Sequence, residues 1–407
     1  MWASMGGTNS PRIAVYSQDG LGLGHLRRTI TIGAHFLEKV SGSRVLLFAD
    51  SPVAPFFQLP DGMDHVKLPS IRKVTAGQWE ASRLHLPIME VQLLRMALLH
   101  EGLLKYQPDL VLVDHMPGGA QGELLPALTT LKKAYPNCAL ILGLRDILDA
   151  EEVIRRVWTQ DRAYEAITQY YDGILIYGKR EIFDTEKTYC LPAPPQGTHY
   201  CGYVASQRPL QPAQKVRQSL GVPADKKFVV VSAGGGGDGH LVMRTYLQAI
   251  RLLGSQADFM TVMATGVNAP ADLYQELEAA SQCLPVRLVQ YLDDSLSAIA
   301  ASDLAVCMAG YNTLAEALKW KKKVLAIPRV GPSAEQRLRV ELFKERGLID
   351  VTYPEELSAE KLAERIIEDL QRTDYPASDR DFDTNGGIEA AVHLAEFIAK
   401  KAVGAHV

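Results

Sequence analysis

The stretch "RIAVYSQDGLGLGHLRRTITIGAHF" (residues 12–36) begins with an apolar run, passes through alternating glycines to Gly-His, and continues with helical periodicity. A second stretch, "KFVVVSAGGGGDGHLVMRTYLQAIR" (residues 227–251), repeats the same order. A strand, a glycine turn and a helix in this order are typical of the first unit of a doubly wound parallel sheet. The repeat therefore predicts two such sheets in one chain.

Short apolar runs alternate with amphipathic patterns in both halves of the 407-residue chain, which is long enough to bury two cores. The runs predict further strands at 44–50, 109–114, 139–144, 173–178, 258–266, 286–292, 303–310 and 323–328. This alternation indicates an α/β protein with two Rossmann-like domains.

The segment 204–214 is rich in proline and polar residues and is the predicted linker between the domains. It separates an N-terminal domain at 1–203 from a C-terminal domain at 215–372. Residues 373–407 are expected to form a polar loop and an amphipathic helix. The periodicity of that helix does not indicate which domain it packs against.

The composition excludes several classes of function. Lysine and arginine number 43 against 47 acidic residues, and the net charge of -4 argues against nucleic acid as a partner. The five cysteines include no C-x-x-C pair, which suits a reducing compartment and predicts neither disulfides nor a metal site. No apolar run reaches a membrane-spanning length, and residues 1–10 lack the features of a signal peptide, so we expect a cytoplasmic protein without an integral membrane segment.

Glycines in a strand-to-helix turn let a phosphate or sugar approach the backbone amides, and the helix N-terminus adds partial positive charge. The alternative is that the glycines only pack the helix against the strand. The candidate contacts to a phosphate are Gly22, Gly24, Gly235, Gly236 and Gly237. A dinucleotide is not favoured, because the strand after the G-x-G-x-x-G of 234–239 ends in Ala-Thr-Gly without an acidic residue.

Several polar side chains follow predicted strands. His25 lies at the carboxyl end of the first strand, where doubly wound sheets bind ligands, and an imidazole there can take a proton from a hydroxyl. His25 is therefore the candidate general base, and Arg28 could reach a phosphate or a carboxylate. Asp114 and Arg145 end two further strands and could contact an acceptor, although charged residues at such positions also cap helices.

The stretch "ASDLAVCMAGYNTLAEALKWKKKVLAIPRVGPSAEQ" (301–336) predicts a strand, the turn AGYNT, a helix, a strand and a polar loop. Asn312 or Thr313 would cap the helix, whose free N–H groups would face an anion. Glu316, one turn further on, could accept hydrogen bonds from both hydroxyls of a ribose. The loop ends in polar groups suited to sugar hydroxyls, Glu335 and Gln336.

This stretch, the glycine loops and the 286–303 segment resemble the inverting two-domain (GT-B) glycosyltransferases of family 28. That family includes the N-acetylglucosaminyltransferase that completes the peptidoglycan lipid intermediate. The resemblance implies two Rossmann-like domains that face each other across a cleft, the first for the acceptor and the second for a nucleotide diphosphate-sugar. The expected nucleotide base is uridine. It assigns the diphosphate to Gly310, Asn312 and Thr313, the ribose to Glu316, and the donor sugar to Glu335 and Gln336. Many members have Asp-Gln in place of that last pair.

The resemblance also implies a hexosyltransferase that uses neither a metal nor another cofactor. An acceptor carried on a lipid would place the protein at a membrane surface, as a peripheral protein. The apolar helical stretch 86–106 is interpreted as core, with a lipid-facing surface as the alternative. The first loop also resembles the nucleotide-sugar hydrolase of pseudaminic acid synthesis, and epimerases share the architecture. Hydrolysis or epimerisation is therefore the alternative activity, and binding of nucleotide sugars without turnover is the non-enzymatic alternative.

Overall fold

The computed structural model describes residues 10–19, 23–75, 78–235, 237, 239–331, 333–376 and 382–404. The chain folds into two compact units. Unit 1 contains the residues up to Val204 together with those from Asp383 onward, and unit 2 contains residues 205–382. Each of the two predicted sheets belongs to its own unit.

Unit 1 is an α/β unit. Its strands are β1 (Arg12–Ser17), β2 (Arg44–Ala49), β3 (Met63–Lys67), β4 (Ile71–Thr75), β5 (Gln78–Ala81), β6 (Leu110–Asp114), β7 (Ala139–Arg145), β8 (Gly173–Tyr177) and β9 (Thr198–Tyr200). Its helices are α1 (Gly24–Lys39), α2 (Ile88–Tyr106), α3 (Leu125–Ala134), α4 (Glu151–Gln160), α5 (Ala163–Tyr170), α6 (Thr185–Thr188) and the last helix of the chain, α14 (Gly386–Gly404). Seven strands form a parallel sheet in the order β3-β2-β1-β6-β7-β8-β9, and β4 and β5 form a separate antiparallel hairpin.

The sheet of unit 1 aligns the ends of its strands. β6 and β8 are buried along their whole lengths, as expected where helices cover both faces of a parallel sheet. Tyr16 of β1 pairs with Val113 of β6, and Asp114 pairs with Gly143 of β7. The carboxyl ends of these three strands therefore lie side by side, and the residues that follow them share one edge.

Unit 2 repeats the arrangement. Its strands are β10 (Lys227–Ser232), β11 (Phe259–Ala264), β12 (Val286–Val289), β13 (Leu304–Cys307), β14 (Lys323–Ala326) and β15 (Asp350–Val351). Its helices are α7 (Ala213–Ser219), α8 (His240–Leu253), α9 (Ala271–Ser281), α10 (Ser295–Ala301), α11 (Tyr311–Lys319), α12 (Glu335–Glu345) and α13 (Ala359–Gln371). The strands form one parallel sheet in the order β12-β11-β10-β13-β14-β15.

The C-terminal segment is shared between the units. Residues 373–382 belong to unit 2, whereas the chain from Asp383 onward belongs to unit 1. There α14 packs along α1, and the ring of Phe397 leaves no room for a Cβ at Gly173. The predicted linker, residues 204–214, is also divided between the units. Val204 belongs to unit 1, whereas residues 205–214 belong to unit 2, where α7 begins at Ala213. None of the described helices is both long and apolar enough to cross a membrane.

Candidate active site

His25, Asp114 and Arg28 form a contiguous charged group at the carboxyl edge of the unit 1 sheet. Nδ1 of His25 lies 2.5 Å from Oδ2 of Asp114, the last residue of β6. The guanidinium of Arg28 donates to both carboxylate oxygens of Asp114, from Nη2 at 2.7 and 3.0 Å and from Nε at 3.2 Å. Asp114 and Arg28 are buried, whereas 18% of the His25 side chain is exposed.

The charge of Asp114 sets the tautomer of His25. Burial would raise the pKa of this carboxyl, but the charge of Arg28 and the contact with His25 outweigh burial and lower the pKa. We assign the proton to Nδ1, since a carboxylate this close requires a donor there, although Nη2 of Arg28 lies 2.9 Å from the same nitrogen. No described residue hydrogen-bonds to Nε2 of His25. Nε2 can therefore accept a proton from a substrate.

Asp19 fixes the start of α1 and thereby the position of His25. Its carboxylate accepts the backbone N–H groups of His25 at 3.0 Å and of Leu26 at 2.5 Å. The backbone N–H of Asp19 donates to Asp50 at 2.7 Å. Burial raises the pKa of Asp19 to about 6. Sequence reasoning missed this residue, whose signal is a short acidic side chain in the segment that leads into a helix.

The other polar residues at this edge have different surroundings. His115 has a left-handed backbone, with φ of 73°, and its ring centroid lies 5.1 Å from that of His25. Burial lowers the pKa of His115 well below its usual value, with further contributions from His25 and Arg145, so this imidazole is neutral. Arg145 is the last residue of β7. The neighbouring Asp146 has a structural role, because it accepts the hydroxyl of Tyr203 at 2.9 Å.

An exposed apolar surface lies on α2 and the segment before it. This α2 surface consists of Leu84, Leu86, Met89, Leu93, Leu94 and Leu98. Met89 and Leu93 are one helical turn apart and are 63% and 60% exposed. Only the opposite face of α2, with Val91, Leu99 and Leu103, belongs to the core. The interpretation of this whole stretch as core is therefore wrong for its outer face.

The glycine loop of unit 2 contains both packing and open positions. Gly239 packs, because a Cβ there would collide with the side chain of Ala233. At Gly234 and Gly237 a Cβ would meet nothing within 4 Å, and Gly234 has a left-handed φ of 65°. The carbonyl of Gly235 accepts the N–H of Asn268 at 2.9 Å, which fixes this loop against the loop after β11. The open glycines leave the backbone accessible to a ligand.

Helix α11 begins at the turn that the sequence associates with an anion. Gly310 is the N-cap, and no side chain caps the helix. The prediction that Asn312 or Thr313 is the cap is wrong, because the extended backbone of Gly310 starts the helix earlier and places both residues inside its first turn. A Cβ at Gly310 would meet nothing within 4 Å, so the approach to the first helical amides is open there. Glu316 lies further along α11 and is buried.

Glu335 and Gln336 are the first two residues of α12, and both have partners within the protein. Gln336 is buried, and its Oε1 accepts the backbone N–H of Arg329 at 3.0 Å. The carboxylate of Glu335 lies 2.7 Å from Nη2 of Arg339, one turn later on the same helix. Both side chains are thus oriented by neighbouring groups of unit 2.

The remaining predicted phosphate contacts lie in the two glycine loops. Gly22 and Gly236 lie outside the described residues. Gly24 is the first residue of α1, directly before His25. Among the residues that the structure describes, no group of three or more His, Cys, Asp or Glu side chains could hold a metal ion.

Comparisons with known proteins identify the domain in unit 2. Residues 229–390 match the model of the glycosyltransferase family 28 C-terminal domain. An uncharacterized glycosyltransferase of Methanopyrus kandleri is 28% identical over 183 residues, which cover 44% of this chain and 49% of that protein. The matched stretch thus spans about half the length of this relative. The UDP-N-acetylglucosamine–N-acetylmuramyl-(pentapeptide) pyrophosphoryl-undecaprenol N-acetylglucosamine transferase of Citrifermentans bemidjiense is 24% identical over 288 residues, 69% of this chain and 74% of that enzyme.

Solved structures share the fold over nearly the whole chain. MurG of Acinetobacter baumannii superimposes with a TM-score of 0.57 at 11% identity and covers 96% of this chain and 100% of its own. A Listeria monocytogenes protein described provisionally as a UDP-N-acetylglucosamine 2-epimerase superimposes with a TM-score of 0.62 at 15% identity. The match covers 96% of this chain and 98% of that protein. The chain therefore has the GT-B fold, which confirms the predicted fold class. Its second half carries a glycosyltransferase family 28 C-terminal domain, which confirms the family resemblance.

Proposed function

We propose that this protein is an inverting glycosyltransferase that moves a hexose from a UDP-sugar to an acceptor hydroxyl. The observation that carries the proposal is the contact between His25 and the buried Asp114, which leaves Nε2 as a base. The family 28 C-terminal domain supports the reaction class. The relative named as a UDP-N-acetylglucosamine transferase supports the donor class.

In the proposed mechanism Nε2 of His25 removes the proton of the acceptor hydroxyl as its oxygen attacks the anomeric carbon. The bond from that carbon to the diphosphate oxygen breaks as the new C–O bond forms, so the configuration inverts through an oxocarbenium-like state. The proton ends on His25, and the ionised Asp114 stabilises the imidazolium. Arg28, which the sequence suggested as a substrate contact, instead keeps Asp114 charged.

The donor is assigned to unit 2. Backbone amides at the start of α11 and in the glycine loop would bind the diphosphate and neutralise it as it leaves, so the proposed reaction uses no cofactor. The ribose would be bound by Glu316, and the sugar by Glu335 and the amide of Gln336. The diphosphate contacts within unit 2 in this proposal are Gly235, Gly237, Gly310, Asn312 and Thr313.

The acceptor is assigned to unit 1. Leu93 and its neighbours on the α2 surface support an acceptor with an apolar part, such as a lipid-linked sugar, bound by a peripheral protein at the cytoplasmic face of a membrane. The ring of His115 lies 5.1 Å from that of His25, and the charge of Arg145 acts on His115, so these two residues would supply polar groups for the part of the acceptor that reacts.

Hydrolysis of a nucleotide sugar is the second candidate, because the partly exposed imidazole of His25 could activate water as well as a hydroxyl. One assay separates the activities. The purified protein is incubated with a panel of UDP-sugars, with and without detergent-solubilised lipid-linked acceptors, and products are identified by NMR. We expect transfer with inverted anomeric configuration, and slow sugar release without acceptor. Equal release of free sugar with and without acceptor would identify a hydrolase, and interconversion of two UDP-sugars without release of UDP would identify an epimerase. No turnover of any donor would contradict an enzymatic role.

A further inference from the structure

We infer that Arg339 is a positioning residue that sets the electrostatic charge at the donor diphosphate site and that Glu335 attenuates this charge. The inference rests on the proposed function. Arg339 lies on α12 and is completely buried. Its Nη1 donates to the backbone carbonyl of Ala309 at 3.2 Å, and its Nη2 pairs with the carboxylate of Glu335 at 2.7 Å.

The guanidinium of Arg339 connects the starts of two helices. Ala309 directly precedes Gly310, the N-cap of α11, and Glu335 is the first residue of α12. Cζ of Arg339 also lies 5.6 Å from the ring centroid of Tyr311, the first residue of α11. The two segments that the proposed function assigns to the diphosphate and to the sugar are therefore held by one side chain.

The local backbone shows why a hydrogen-bond donor is needed at this point. The N–H of Gly310 donates to the carbonyl of Met308 at 2.7 Å, which makes a tight turn around the buried Ala309. The carbonyl of Ala309 would be a buried acceptor without Arg339, and such an acceptor is costly to leave unpaired. The guanidinium stabilises this turn in the conformation that opens the first amides of α11 to a ligand.

The same geometry has an electrostatic consequence. A buried cation beside the first amides of α11 adds to their attraction for an anion, because charges in a partly buried site interact strongly. The carboxylate of Glu335 cancels part of this attraction. In addition to its proposed contact with the sugar, Glu335 thus lowers the affinity of the site for the free nucleoside diphosphate. This lower affinity favours release of the product.

The test compares the binding of UDP and of uridine to the full-length chain by calorimetry. Glu335→Gln preserves shape but removes the negative charge, and we expect it to tighten UDP binding by about 3- to 10-fold while leaving uridine unchanged. Arg339→Met leaves Glu335 uncompensated and should weaken UDP binding by about tenfold or more. The double variant should bind UDP more tightly than Arg339→Met, because the unpaired carboxylate is gone, and more weakly than Glu335→Gln, because it lacks the guanidinium that stabilises the turn.

Arg337→Met is the matched control. Arg337 is on α12 as well, but it is exposed and pairs with Glu355 at 2.6 Å, so its loss should leave both affinities unchanged. If Arg339→Met does not fold, Glu335→Gln alone still tests the sign of the effect. A wild-type protein that binds neither UDP nor another nucleoside diphosphate would overturn the proposed function itself. If the wild type binds UDP but none of the variants changes the ratio of the UDP and uridine affinities, only the role of Arg339 and Glu335 is overturned.

Discussion

Nδ1 of His25 and Oδ2 of Asp114 lie 2.5 Å apart, although 89 positions separate the two residues in the chain. The contact arises because β1 and β6 are adjacent parallel strands, so the loop after one strand meets the last residue of the other. Asp19 holds the helix start that carries His25, and Arg28 holds Asp114. The imidazole is thus oriented from both sides.

Replacement of His25 by alanine removes the proposed base. We expect kcat to fall by about 10²- to 10⁴-fold, the usual contribution of general-base catalysis, while UDP binds as tightly as before. Steady-state kinetics together with calorimetry measure both quantities. His100→Ala, on the middle of α2, is the control for loss of an imidazole, and a His25 variant with full turnover would exclude the proposed mechanism.

Asp114→Asn tests the orientation of that base. An amide removes the charge that stabilises the imidazolium and can donate to Nδ1, which would favour the wrong tautomer, so we expect kcat to fall by about 10- to 1000-fold. The donor KM should change little, since the substitution is in unit 1. Retention of the wild-type pH–rate profile in this variant would show that Asp114 does not act through His25.

Glu316→Ala tests the proposed ribose contact. Loss of two hydrogen bonds from ribose hydroxyls to a carboxylate should weaken UDP binding by about tenfold or more. Calorimetric titration with UDP measures the effect, and Glu364→Ala, which changes an exposed residue of α13, is the control. Unchanged affinity would show that the family assignment of this residue does not apply here.

Leu93→Glu tests the role of the α2 surface. A carboxylate at this exposed position should reduce transfer to a lipid-linked acceptor by about tenfold, because it opposes contact with apolar groups. Release of sugar from the donor without acceptor should not change. Leu252→Glu, which alters an equally exposed leucine of unit 2, serves as the control. Equal loss of activity in both variants would argue against a specific surface.

Asp369→Asn tests a buried carboxyl in unit 2. Burial, and after it the charge of Asp350, raise the pKa of Asp369 to about 7. The ordinary pKa of this carboxyl is 3.8, so the unfolded chain loses the proton above about pH 4, whereas the folded protein keeps it up to about pH 7. Because the folded state binds the proton more tightly, the contribution of Asp369 to stability falls as pH rises from about 4 to 7. The asparagine variant should lose that dependence and melt at a higher temperature than the wild type at pH 8. Parallel melting curves for both proteins at pH 5 and pH 8 would contradict this assignment.

The regular architecture could be predicted from the sequence because its strands are continuous apolar runs between glycine or acidic residues. β1, β6, β7 and β8 are examples, and all the strands predicted from such runs are present. The strands β3, β9 and β15 were missed, since they are short or partly polar and gain their stability from a neighbour in the sheet. The hairpin β4–β5 was missed for the same reason.

The site could be predicted only in part. His25 and Asp114 were both singled out because each follows a strand, but their contact depends on which strands are adjacent, and strand order is not local information. Arg28 is a similar case, since an arginine one turn into a helix gives no sign of whether it faces solvent or a buried carboxylate. Arg339 gave no signal at all, because its partners come from two segments that meet only in the folded unit.

The return of α14 to unit 1 has a consequence for biosynthesis. The ribosome completes the whole of unit 2 before it makes the helix that covers α1 and meets Gly173. A fragment that ends at Val204 would therefore lack the helix that packs along α1 and places Phe397 against Gly173. Unit 1, which carries His25, is therefore complete only after α14 has been synthesised, even though most of this unit is translated first.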